Sequence, residues 1–105
     1  MIFDPEKSDE LAARIHLENI ERTRVKAWDI PHTTTLLDAL PRITARVSAI
    51  CGGNDRYSDT ETAAESERII RQHHANLKFR VIDNVGHWVP YEDPERFREL
   101  LLDMF

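Results

Sequence analysis

The chain has 105 residues, 41 % apolar and 31 % charged, with a formal net charge of −5, the balance of one soluble domain with a modest core. Its 14 lysines and arginines are interspersed among 19 acids, which excludes the clustered positive field of a nucleic-acid surface. The single cysteine, Cys51, excludes an intramolecular disulfide, and no run approaches the ~18 apolar residues of a membrane span.

The amino-terminal residues Met1 to Glu6 lack the basic start and apolar run of a signal peptide, so a cytoplasmic protein is expected. Ser8 reads as the N-cap of a long helix, with Asp9 and Glu10 near the positive end of its dipole. The helix should run to about Ala27 and stop before Pro31. At about 100° per residue its apolar groups fall on two sides, Ala13, Leu17 and Ile20 on one and Leu11 and Ile15 nearly opposite. A helix of that kind sits between two surfaces, as a lid helix or a dimer contact does.

Thr33–Leu40 reads as a short helix ended by Pro41, because the residue before a proline is pushed out of the helical region. Arg46–Cys51 alternates as a strand that Gly52 and Gly53 end. Thr60–His74 is helical, with Thr60 as its cap, and Leu77–Ile82 is a second strand with Leu77, Phe79 and Val81 on one face. Asp93-Pro94-Glu95 opens a last helix, Asp as cap and Pro at the first helical position. Phe97, Leu100, Leu101, Met104 and Phe105 give it a buried stripe. The expected class is α/β: a helical segment over residues 1–41, then over 42–105 two parallel strands alternating with helices. Two strands make no stable sheet alone, so homo-oligomerisation is expected through their edges.

In open parallel sheets, sites lie beyond the carboxyl ends of the strands. Asp55 and His87 both come after strand ends, in Gly52-Gly53-Asn54-Asp55 and Gly86-His87-Trp88, and so reach the same edge. A carboxylate there would fix the imidazole tautomer and stabilise the imidazolium formed in general-base catalysis. The bland alternative is that Asp55 makes a turn, as Asp after Gly-Gly-Asn commonly does, and His87 merely packs.

These residues resemble the C-terminal part of the α/β-hydrolase fold family. Gly52-Gly53-Asn54-Asp55 is similar to the family's triad-acid motif after the next-to-last core strand. Gly86-His87-Trp88 and Glu92-Asp93-Pro94-Glu95-Arg96-Phe97 are similar to the family's segment after its last core strand, and Leu40-Pro41-Arg42-Ile43 to the approach to the acid strand. The resemblance runs from about Leu36 to Phe105 and implies Asp55 as the acid, His87 as the base and a cap-derived helix after Ser8. Glu18-Asn19-Ile20, Arg22 to Lys26 and Leu37-Asp38-Ala39-Leu40-Pro41 look most like the meta-cleavage-product hydrolases, which cleave a carbon–carbon bond in vinylogous diketone acids; esterases and epoxide hydrolases share much of this pattern. The family's nucleophile sits in Gly-x-Ser-x-Gly. None of Ser8, Ser48, Ser58 and Ser66 has those glycines, so the resemblance implies a nucleophile before Met1 and a chain inactive alone.

Two other readings stand beside it. One is a non-catalytic remnant that self-associates through its sheet edges. The other makes Cys51 the nucleophile, against the simpler view of a buried structural cysteine. Trp88 is a candidate pocket wall, and Arg14 a candidate partner for a substrate carboxylate, against an ordinary exposed helix charge. His73 and His74 are adjacent and diverge on a helix, so they do not clamp one metal, and His16 and His32 are expected at solvated or cap-facing positions. No His-x-x-x-His or Cys-x-x-Cys occurs, so no metal and no cofactor are expected. The expected partner is a small-molecule substrate in the complete enzyme.

Overall fold

In the computed structural model, residues 2–24, 33–58 and 60–105 are described. They form two compact units, Ser8–Thr44 and a second comprising Ala45–Phe105 with the segment that ends at Lys7.

The first unit is helical. Helix α1 (Glu10–Arg22) is capped by Asp9, whose Oδ1 accepts the Ala12 N–H at 2.8 Å, one residue later than the expected cap at Ser8. Either side chain caps well, and Asp adds a negative charge at the positive end of the dipole. The helix also ends earlier than expected. Thr23 turns extended (ψ 118°) while its hydroxyl donates back to the Asn19 carbonyl at 2.6 Å, so the chain leaves the helix there. Ala27 and Pro31 lie outside the described residues. Of the two apolar sides, Leu11, Leu17 and Ile20 stay exposed.

Helix α2 (Thr35–Ala39) is shorter than expected, and Pro41 does not end it. Leu40–Arg42 continue as a 3₁₀ turn with Pro41 inside and Leu40 still helical (φ −49°, ψ −46°). Proline is tolerated in such a first turn because its missing N–H would have had no partner.

The second unit carries the sheet. Strands β1 (Ser48–Gly52) and β2 (Lys78–Ile82) pair in parallel, with Ala49 beside Phe79 and Cys51 beside Val81, and form the two-stranded sheet of the described residues. Helix α3 (Thr60–His73) joins them. Thr60 is its first helical residue rather than its cap, and the position before it lies outside the described residues. Ala63 and Ile70 of α3 pack with Leu77, Phe79, Ala49 and Cys51 on one face. On the other face Ile82 and Ile50 pack with Val85, Val89 from the one-turn helix α4 (Val89–Glu92), and Phe97 and Leu100 from α5 (Pro94–Met104). The fold is therefore mixed α/β with helices on both faces of the sheet.

Helix α5 begins as expected: Pro94 is its first residue, and Asp93 Oδ1 accepts the Arg96 N–H at 3.1 Å. Two burial expectations fail. Val81 is exposed, because the cluster under α3 closes around Leu77 and Phe79, further down the strand. Leu101 is 37 % and Phe105 85 % exposed, so only Phe97, Leu100 and Met104 of the stripe meet the core. Leu101 and Phe105 instead line an open groove beside Ser48 and Ile50 of β1. Among the described residues no helix is long and apolar enough to cross a membrane.

Candidate active site

The loops after β1 and β2 are joined by main-chain bonds that prolong the sheet beyond its strands. The Gly53 N–H donates to the Ile82 carbonyl at 2.8 Å, and the Asn54 N–H to the Val85 carbonyl at 2.9 Å. Asn84 adopts φ 61°, a left-handed conformation that asparagine tolerates, and its N–H donates to Asn54 Oδ1 at 2.9 Å. Gly52 permits the closest approach: a Cβ there would lie 2.0 Å from the Gly86 carbonyl oxygen and 2.5 Å from that of Val85. A side chain at position 52 is therefore incompatible with this path of the second loop.

On this frame His87 Nδ1 and Asp55 Oδ2 are 2.8 Å apart. The two oxygens of Asp55 divide the work. Oδ1 accepts the Tyr57 N–H at 2.9 Å, closing a turn two residues on, while Oδ2 faces the imidazole. The same carboxyl thus both closes a turn and meets the imidazole. Its side chain is only 10 % exposed, against 49 % for His87, so a nearly buried acid supports a half-open ring. Burial pushes the Asp55 carboxyl up, but the hydrogen bond from His87, that from the Tyr57 N–H and the electrostatic attraction of His87 act against it, and the carboxyl is held below its ordinary range. The Tyr57 ring meets the imidazole edge-on, centroids 5.3 Å apart. A proton on Nδ1 directed at Asp55 leaves Nε2 with its lone pair, as a general base requires.

Trp88 is half-buried and packs edge-on against Tyr91 at 5.9 Å. Arg14 belongs to the helical unit, where its exposed guanidinium lies 3.5 Å from Glu18 one turn on. Cys51 is a free, half-buried thiol whose pKa is pushed up by burial and then by the Asp55 charge, the opposite of an activated nucleophile. Among the described residues no three His, Cys, Asp or Glu side chains gather to hold a metal ion. His32 lies outside the described residues.

Sequence reasoning assigns no role to two contributors, Tyr57 and Glu92. Tyr57 was marked only by its place two residues after an aspartate. Glu92, a residue type that is almost never fully buried, is 1 % exposed directly behind the His87 loop. No protein-family model matches the chain, and neither does any curated protein or solved structure.

Proposed function

We propose that Asp55 and His87 are the acid and base of a serine-type α/β-hydrolase triad, and that this chain is the C-terminal segment of such an enzyme, inactive alone. The observation that carries the reading is the 2.8 Å Nδ1–Oδ2 contact between a nearly buried carboxylate and a half-exposed imidazole, beyond the carboxyl ends of two adjacent parallel strands. No Gly-x-Ser-x-Gly occurs in the 105 residues, so the hydroxyl nucleophile and its oxyanion hole would come from chain outside them.

In that enzyme His87 Nε2 takes the proton of the attacking hydroxyl, from serine or water, as its oxygen bonds to a substrate carbonyl carbon. Asp55 holds Nδ1–H and balances the imidazolium. The same proton later goes to the leaving carbon as the carbon–carbon bond breaks. The class proposed is a hydrolase of vinylogous diketone acids from aromatic ring cleavage, with an ester or an epoxide as the alternative substrate. The single free cysteine suits a reducing cytoplasm.

The test is a hydrolase assay on the full reading frame with a vinylogous diketone acid, p-nitrophenyl esters and an epoxide. His87→Ala should lower kcat by about 10²–10⁴-fold. A reading frame with no Gly-x-Ser-x-Gly, or a His87→Ala enzyme with unchanged kcat, refutes the proposal. A second reading, a self-associating non-catalytic module, draws on Leu102 and Phe105, which are 70 % and 85 % exposed on or beside α5. A well-folded monomer in sedimentation velocity counts against it.

A further inference from the structure

Glu92 is a carboxylate with an unusual set of partners. It lies at the end of α4 and is 1 % exposed. Its Oε2 accepts two main-chain N–H groups, from Gly86 at 3.0 Å and from Phe3 at 2.8 Å. Its Oε1 is buried with no hydrogen-bond partner among the described residues. The ammonium of Lys7 donates to its main-chain carbonyl, so the amino-terminal segment is tied to this residue twice.

Burying a carboxyl with one oxygen unsatisfied is costly, and an apolar side chain of the same volume would fill the space more cheaply. What an apolar side chain would not supply is an acceptor for two N–H groups, and the buried one of them is the amide immediately before His87. Gly86 is thereby held from both sides. Its N–H is fixed by Glu92, and its carbonyl oxygen is seated against Gly52, where not even a Cβ would fit. Glycine is the residue most free to move, so a histidine directly after it needs such a clamp to keep one orientation.

We propose that Glu92 is the positioning residue of His87: by accepting the Gly86 N–H it sets the main chain so that the imidazole presents Nδ1 to Asp55. The role of base for His87 rests on the function proposed above, but the positioning itself is read on the imidazole without substrate.

The experiment is ¹⁵N NMR of the His87 ring, with amide hydrogen exchange at Gly86, on the 105-residue chain and its Glu92→Met and Glu92→Gln variants. The wild type should hold the Nδ1–H tautomer and a slowly exchanging Gly86 amide. Glu92→Met keeps the volume and removes the acceptor; Gly86 exchange should rise about 10- to 100-fold, the loss of a buried hydrogen bond, and the ring should become a tautomer mixture. Glu92→Gln keeps an acceptor oxygen and should restore the wild-type tautomer. A folded Glu92→Met chain with unchanged tautomer and exchange overturns the proposal, as does a folded Glu92→Gln chain that loses the tautomer. Should Glu92→Met not fold, a wild-type Gly86 amide exchanging as fast as an unstructured peptide overturns it, and a protected amide with Glu92→Gln rescue supports it. A positioned imidazole in a reading frame without hydrolase activity removes the proposed function and leaves this inference standing.

Discussion

Replacing Gly52 by alanine probes how the two strand ends are held together. The added methyl would start 2.0 Å from the Gly86 carbonyl oxygen and 2.5 Å from the Val85 oxygen, whereas real Cβ contacts essentially never fall below 3.0 Å. The obstructing atoms are main chain, so no rotamer change relieves the clash. The Gly86 carbonyl must retreat by at least 1 Å, from 2.0 to 3.0 Å, or β1 must shift by as much. Either move pulls on the Gly86–Glu92 bond of 3.0 Å and carries His87 away from Asp55, at present 2.8 Å distant. Overpacking of a rigid site costs about 1–3 kcal/mol, and this one belongs at the upper end. For a chain of this size that is a fall of roughly 10–20 °C in Tm. Gly53→Ala is the control. Its Cβ would meet Asp83 Oδ1, the Ile82 oxygen and Val81 Cγ1 each at 3.3 Å, and two of these are side-chain atoms. Its expected change is within about 1 kcal/mol, tight contacts opposing the entropy removed from the unfolded chain. Urea unfolding gives the stabilities, and the His87 Nδ1–H resonance reports the contact with Asp55. A Gly52→Ala chain as stable as Gly53→Ala, with that resonance unmoved, refutes the reasoning.

The electrostatics of the site set two further outcomes. The Asp55 carboxyl is depressed in the folded chain, so its contribution is present above the ordinary carboxylate value of about 3.9 and is lost as pH falls through the folded-state value. The stability difference between wild type and Asp55→Asn should therefore shrink as urea titrations move from pH 5 toward pH 2, whereas a constant difference contradicts the assignment. Cys51 is pushed up by burial and by Asp55, so iodoacetamide at neutral pH should label it more slowly in the native chain than in urea. Faster native labelling would revive the cysteine-nucleophile reading.

Elements whose causes are local are the ones legible in the sequence. Asp93-Pro94 starts α5 as read, because a cap and a proline act within one turn. The strand before Gly52-Gly53 and the strand ending at Ile82 are visible in their alternation, each displaced by a residue or two. The placement of Asp55 and His87 together comes from parallel topology alone, since both lie just past a carboxyl end. Features that depend on distant partners are not legible. Val81 continues the alternation of Phe79, yet where the cover under α3 stops is set by tertiary packing. Helix α4 is a single turn, too short for a period to show. Glu92 is visible only as the first residue of the Glu92-Asp93-Pro94 motif, and its burial is not legible because two of its partners, Phe3 and Lys7, are far away in sequence.

The geometry of the acid and the imidazole is set largely by hydrogen bonds from main-chain N–H groups, and those bonds lie within two loops and one turn. Gly53 to Ile82, Asn54 to Val85 and Asn84 to the Asn54 side chain fix the first loop on the second. Gly86 to Glu92 fixes the second on α4. None of these bonds needs a third strand. The Asp55–His87 contact should therefore survive any change in what covers the outer edges of the sheet, while remaining sensitive to Gly52 and Glu92. Edge cover bears on the groove beside β1 and on the exposed flank formed by Leu101, Leu102 and Phe105. Orientation of the histidine and completion of the sheet are thus separable problems in this chain, and a substitution that alters one without the other identifies which of them it touches.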